Sequence, residues 1–174
     1  MMQAFQRGVF ALSQLSAGLA CLALVGMVGH ILYEIVLRTF FSSSTFVLDE
    51  FVGYGVAACT FLSLGYALEH GNLIRVNILL NRLDGGALRA AEIVCSLLTL
   101  VVALGLSWFF WLRIARDWTR GTTSSSIAAF PSWIPQAAIL AGLLVFCLQL
   151  FAYMLRQIFD TPPPVTEPDP GIEL

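Results

Sequence analysis

The chain has 174 residues, 58% of them hydrophobic and 11% charged, whereas soluble domains usually carry about 25% charged residues. So little polar surface cannot wrap a water-soluble globule, and lipid must cover the rest. The net charge of -2 owes much to Glu167, Asp169 and Glu173, which have no basic neighbour in the tail, and nothing in the balance favours a nucleic-acid partner.

Four long stretches without a formal charge, Gly8 to Tyr33, Phe51 to Leu68, Ile93 to Leu112 and Gly121 to Leu155, fill most of the sequence. Each can cross a bilayer as a helix: at about 1.5 Å per residue, the 18 residues from Phe51 to Leu68 alone give about 27 Å, close to a hydrocarbon core of roughly 30 Å. The expected fold is all-α and integral to the membrane, with four transmembrane helices near residues 8–35, 47–68, 92–112 and 133–155 and an interfacial amphipathic helix between the second and third.

The first apolar run is longer than a signal-peptide core and ends without a convincing small-residue cleavage site, so a retained helix is expected, from about Phe5 to Arg38. Its small residues Ala17, Gly18, Cys21 and Gly26 are candidates for close helix contact. His30 is the deepest titratable side chain; Glu34 follows one turn later, where Arg38 at i+4 can offset it as a structural ion pair. The link Phe40 to Thr45 is aromatic and then serine-rich. Thr45 is placed to cap the second helix, with Asp49 and Glu50 in its first turn, where unsatisfied N–H groups favour negative charge.

Gly71 breaks the second helix, and residues 72–84 follow a different pattern. Leu73, Val76, Leu79, Leu80 and Leu83 share one helical face and Arg75 and Arg82 another, as in a helix lying at the interface; Ile74 and Ile78 fall near the polar side, where a partner protein could meet them. Asp84, Gly85 and Gly86 then signal a turn. The third helix runs on into Arg113, Arg116 and Arg120, one basic stripe that Gly121 ends. Ser132 is a candidate cap for the fourth helix, Pro135 suits its first turn, and Ala137, Ala138, Ala141 and Gly142 give it a small-residue surface. From residue 160 the chain is acidic and proline-rich, as expected of a disordered tail.

Cys21, Cys59, Cys95 and Cys147 fall one to a span, without a C-x-x-C pair, so they are expected to pack rather than to form disulfides. A haem or quinone oxidoreductase subunit is an alternative class, but paired haem ligands would have to come from His30 and His70, near opposite ends of an antiparallel pair. A small autonomous antiporter also has four spans, yet its acidic residue belongs near the midplane and Glu34 lies near a helix end. No enzyme chemistry, cofactor or metal site is expected.

Four spans put both termini on one side. Arg7, Arg75, Arg82, Arg89 and Arg156 lie there, against Arg38, Arg113, Arg116 and Arg120 on the other, a count of five to four that barely favours termini inside. Trp108, Trp111, Trp118 and Trp133 mark the interface opposite the termini.

From Glu34 to Leu83 the order of features resembles the small (Q) membrane subunit of tripartite ATP-independent periplasmic (TRAP) transporters. Arg38, Phe40 and Phe41 close helix one, Glu50 opens helix two, and Glu69, His70 and Gly71 lead into the amphipathic segment; Trp133, Ile134 and Pro135 enter helix four. Asn72 stands where that family commonly has histidine, Asn77 where it has an acid, and Phe46 where it often has tryptophan. The resemblance implies an accessory subunit of a sodium-coupled importer in the bacterial inner membrane, with both termini cytoplasmic. Its partners would be a large M permease subunit and a periplasmic solute-binding P protein. Glu34, Arg38, Asp49 and Glu50 are then candidates for ion pairs or subunit contacts, and Arg113, Arg116 and Arg120 for docking the P protein or membrane lipid.

Overall fold

The computed structural model describes residues 2–70, 86–124 and 129–159. The expected interfacial helix with Arg75 and Arg82, and the tail, lie outside these residues. Four helices make up the described chain: α1 Met2–Phe41, α2 Leu48–Glu69, α3 Gly86–Arg120 and α4 Trp133–Phe159. All four are long and apolar enough to cross a membrane. The 22 residues of α2 give about 33 Å, matching one bilayer, while the 40 residues of α1 give about 60 Å and overshoot it.

Consecutive helices run antiparallel, with α2 and α4 parallel side by side. α4 is the hub, packing on α1, α2 and α3, while α3 makes its main contacts with α4. Leu68 of α2, Ala103 of α3 and Phe146, Cys147, Leu150 and Tyr153 of α4 form the buried cluster.

The packing rule is written on α1 in steps of three and four. Gln6, Val9, Ser13, Ser16, Ala20, Ala23, Met27, His30, Glu34 and Leu37 are buried or half-buried, whereas between Ala11 and Val36 almost everything else is exposed, Ala17 and Ile31 excepted. α3 repeats the device with Ile93, Ser96, Leu100, Ala103, Ser107, Phe110, Ile114 and Asp117. A 3.5-residue period keeps one narrow seam toward its neighbours, as in left-handed helix packing. Small and hydroxylated residues occupy much of the seam, and most of the bulky apolar ones face outward, because in lipid close van der Waals approach and interhelical hydrogen bonds replace the hydrophobic driving force. Along it the Ser16 hydroxyl donates to the Leu62 carbonyl at 2.8 Å and the Cys59 thiol to the Ala20 carbonyl at 3.0 Å.

The seam corrects the expectation for α1. Gly18, Cys21 and Gly26 are exposed and Ala17 only half-buried; a methyl added at Gly18 or Gly26 would meet nothing within 4 Å. On α4 the small-residue surface is used as expected at Gly142, where an added Cβ would lie 2.5 Å from the Phe61 backbone. The four cysteines are free.

Gly121, at φ +60°, ends α3 as expected. Its N–H bonds the Trp118 carbonyl at 3.3 Å and the Thr122 N–H bonds the Asp117 carbonyl at 3.1 Å, the two bonds of a Schellman stop. The link to α4 then turns back on itself, with Ser124 N–H on the Phe130 carbonyl at 2.8 Å.

Candidate functional site

Polar side chains gather at the two ends of α2, which are also the two membrane boundaries its length defines. At the first, Glu34 is buried and its carboxylate is held by four groups. Arg38 Nε donates to Oε1 at 3.0 Å, the Ser44 hydroxyl donates to the same oxygen, and Thr45 gives its hydroxyl to Oε2 at 2.7 Å and its N–H to both oxygens at 3.2 and 3.3 Å. Thr45 therefore does not cap α2. The position before that helix is Val47, which gives no side-chain cap, and Thr45 is spent on Glu34 instead. A buried carboxylate recruits every donor in reach because an unsatisfied charge costs far more than a missing cap.

Glu50 turns the other way. Its carboxylate accepts the Tyr54 hydroxyl at 2.5 Å and the Ser124 hydroxyl at 2.9 Å, fastening the start of α2 to the link between α3 and α4. Asp49, its exposed neighbour, shares the first turn as expected. Asp117, on the seam of α3, takes the Gln136 amide of α4 at 2.7 Å. Arg113, Arg116 and Arg120 are all exposed. At about 100° per residue they fall on one flank of the α3 seam, with Trp108, Trp111 and Trp118 on the other; Trp118 meets Trp133 edge-on at 4.8 Å.

The second boundary holds a site that sequence reasoning missed. Glu69, the last residue of α2, receives the Gln149 amide at 2.7 Å and pairs with Arg156, both from α4. The side chains are 1% exposed for Glu69 and 13% for Arg156, and the Arg156 guanidinium lies 4.9 Å from the Tyr153 ring centre. The sequence signal was a glutamine inside an apolar span with an arginine two turns later.

The histidines stand far apart. His70 lies tilted against the rings of Tyr66 and Phe10, while His30 lies near Phe51, and the twenty residues from Phe10 to His30 correspond to about 30 Å of helix. Among the described residues no cluster of His, Cys, Asp and Glu could hold a metal ion. His30 borders a cavity of about 410 Å³ between α1, α2 and α4, walled mostly by apolar side chains such as Met27, Phe51, Phe130 and Ile134.

A family model described as tripartite ATP-independent periplasmic transporters, DctQ component, matches residues 27–160. The chain belongs to this family. The DctQ component is part of a transporter, not an enzyme, and the chain is accordingly a TRAP-transporter subunit with a multi-pass, all-helical membrane fold. No curated protein and no solved structure matches it. The DctQ match takes in both boundary clusters, Glu34 with Arg38 and Glu69 with Arg156, and leaves out the first turns of α1 that carry Ser13 and Ser16.

Proposed function

We propose that this DctQ component is the scaffold subunit of a secondary, sodium-coupled solute importer of the bacterial inner membrane, with both termini cytoplasmic. It extends a large M permease subunit that carries solute and sodium, and the complex receives solute from a periplasmic P protein. One observation supports a structural rather than a transporting role. Glu34, Glu50, Glu69 and Asp117 each already hold donors from this chain, and the stretches Gly8 to Tyr33, Phe51 to Leu68, Ile93 to Leu112 and Trp133 to Leu155 contain no formal charge. A group that carries ions or substrate across must exchange partners during transport, whereas these carboxylates are committed to holding helix ends together.

The test is reconstitution in liposomes with and without M and P. The complete set should take up solute under a sodium gradient, and the DctQ component alone should take up none. Uptake by the purified subunit alone would overturn the scaffold reading. A reporter fused to either terminus should respond on the cytoplasmic side.

A further inference from the structure

We propose that Arg38 and the serines of the α1–α2 link form a binding site for the phosphodiester of a membrane phospholipid. Arg38, Ser42, Ser43, Ser44 and Phe46 line an open pocket of about 590 Å³. Arginine has five N–H donors in a planar fork. Here Nε is taken by Glu34 at 3.0 Å and one Nη2 hydrogen by Ser44 at 3.2 Å, which leaves three donors on a side chain that is 59% exposed. Glu34 fixes the inner edge of the guanidinium, so the outer edge is presented without further loss of side-chain freedom.

The position selects the ligand. α2 begins at Leu48 and spans one hydrocarbon thickness, so the link before it, with Arg38 a turn above Glu34, stands at the level of the phosphate layer. Phe46 lines the pocket at 71% exposure, and Phe40 and Phe41, just before Ser42 in the chain, are 77% and 70% exposed, an apolar surface near a cation that suits an amphiphile with one anionic oxygen cluster and hydrocarbon below it. The Ser42 and Ser43 hydroxyls add donors of the kind that complete a phosphate cradle. A phosphodiester brings one negative charge, matched to the single guanidinium.

The experiment uses the full chain extracted from phosphatidylglycerol-containing membranes and counts retained lipid by native mass spectrometry. The variant pairs Ser42→Asp with Ser43→Asp, which places carboxylates in the pocket while leaving every Glu34 donor in place; aspartate tolerates the left-handed backbone of Ser42 at φ +48°. Retained phosphatidylglycerol should fall about tenfold, as expected for losing charge-assisted contacts to a phosphate. Arg38→Lys keeps the charge but loses the fork, and retained lipid should fall partway. Excess inorganic phosphate should not displace the lipid from the parent chain. A folded aspartate variant that keeps the parent's lipid complement would overturn the proposal, as would displacement by inorganic phosphate, which marks a free-anion site. If the aspartate variant does not fold, Ser42→Ala with Ser43→Ala serves in its place, with undiminished lipid again the overturning result.

Discussion

Glu69 and Arg156 meet across the bundle, one ending α2 and the other in the last turns of α4, and Gln149 completes the pair from within the span. Because α2 and α4 run parallel, this contact fixes the ends of two neighbouring helices at one membrane boundary, as Glu34 and Thr45 fix the antiparallel α1 and α2 at the other. Each boundary therefore has a carboxylate that sets the relative height of two helices. Seams of small residues allow close approach but leave sliding along the axis inexpensive, so specific polar contacts at the ends are what define register.

The first prediction follows from that division of labour. Glu69→Ala leaves Arg156 and Gln149 buried with no acceptor, and should destabilise the subunit by about 3 kcal/mol, the range for breaking one side of a buried pair. Glu69→Leu combined with Gln149→Leu and Arg156→Met removes the whole cluster and should recover more than half of that loss. Thermal unfolding in detergent reads both; equal loss in the single and triple variants would show that the ion pair itself supplies net stability.

Glycine positions separate contacts inside the subunit from free surface. Gly142→Ala drives a Cβ to 2.5 Å from the Phe61 backbone, where no flexible side chain can yield, and should cost about 2 kcal/mol by overpacking. Gly18→Ala meets nothing within 4 Å and should be neutral or stabilise α1 by up to about 1 kcal/mol. Melting temperatures of the isolated subunit decide between them; a destabilising Gly18→Ala would mean that α1 packs through its glycine face after all.

The contrast also explains what could be read from the sequence. Four spans, the termination at Gly121 and the pairing of Glu34 with Arg38 follow from charge-free length, a glycine after a basic stripe and i,i+4 spacing, all local signals. The face of α1 did not follow. Gly18 and Gly26 suggested contact, whereas Ser13, Ser16 and Ala20 make it, because the selecting rule is the 3.5-residue recurrence along the whole helix rather than any cluster of small residues. Glu69 with Arg156 was missed because the partners are 87 residues apart and depend on α2 and α4 being neighbours, which tertiary packing alone decides. Sequence spacing alone points Thr45 to the nearest helix end, although a buried carboxylate across the link has the stronger claim on its hydroxyl.

Glu50 provides a test of how the α3–α4 link is held. Glu50→Gln can keep one of the two hydroxyl donors, from Tyr54 or Ser124, but its amide faces the other with a donor, so a loss of about 1–2 kcal/mol is expected. Ser124→Ala should reproduce the smaller part of it. Copurification with the M subunit should weaken in Glu50→Gln, since the link borders the surface at this membrane face; full recovery of M with the variant would confine the role of Glu50 to the fold of its own chain.

The last prediction concerns Arg113, Arg116 and Arg120. They lie on one flank of an exposed helix end, and Asp117, the acid nearest in sequence, is turned to Gln136 on the seam. Like charges at i and i+4, Arg116 and Arg120, repel by a few tenths of a kcal/mol, which an external anion would relieve. If the termini are cytoplasmic, as proposed, this stripe faces the periplasm, and an acidic patch on the proposed P protein would be steered to it. Arg116→Gln with Arg120→Gln should then lower uptake at limiting P protein by slowing encounter, more at low salt than at high, while assembly with M stays intact. The tryptophans sit on the opposite flank, so lipid anchoring by Trp108 and Trp111 should survive the change. Uptake measured across P protein concentrations decides: an unchanged concentration dependence would assign the arginines to lipid phosphates rather than to the binding protein.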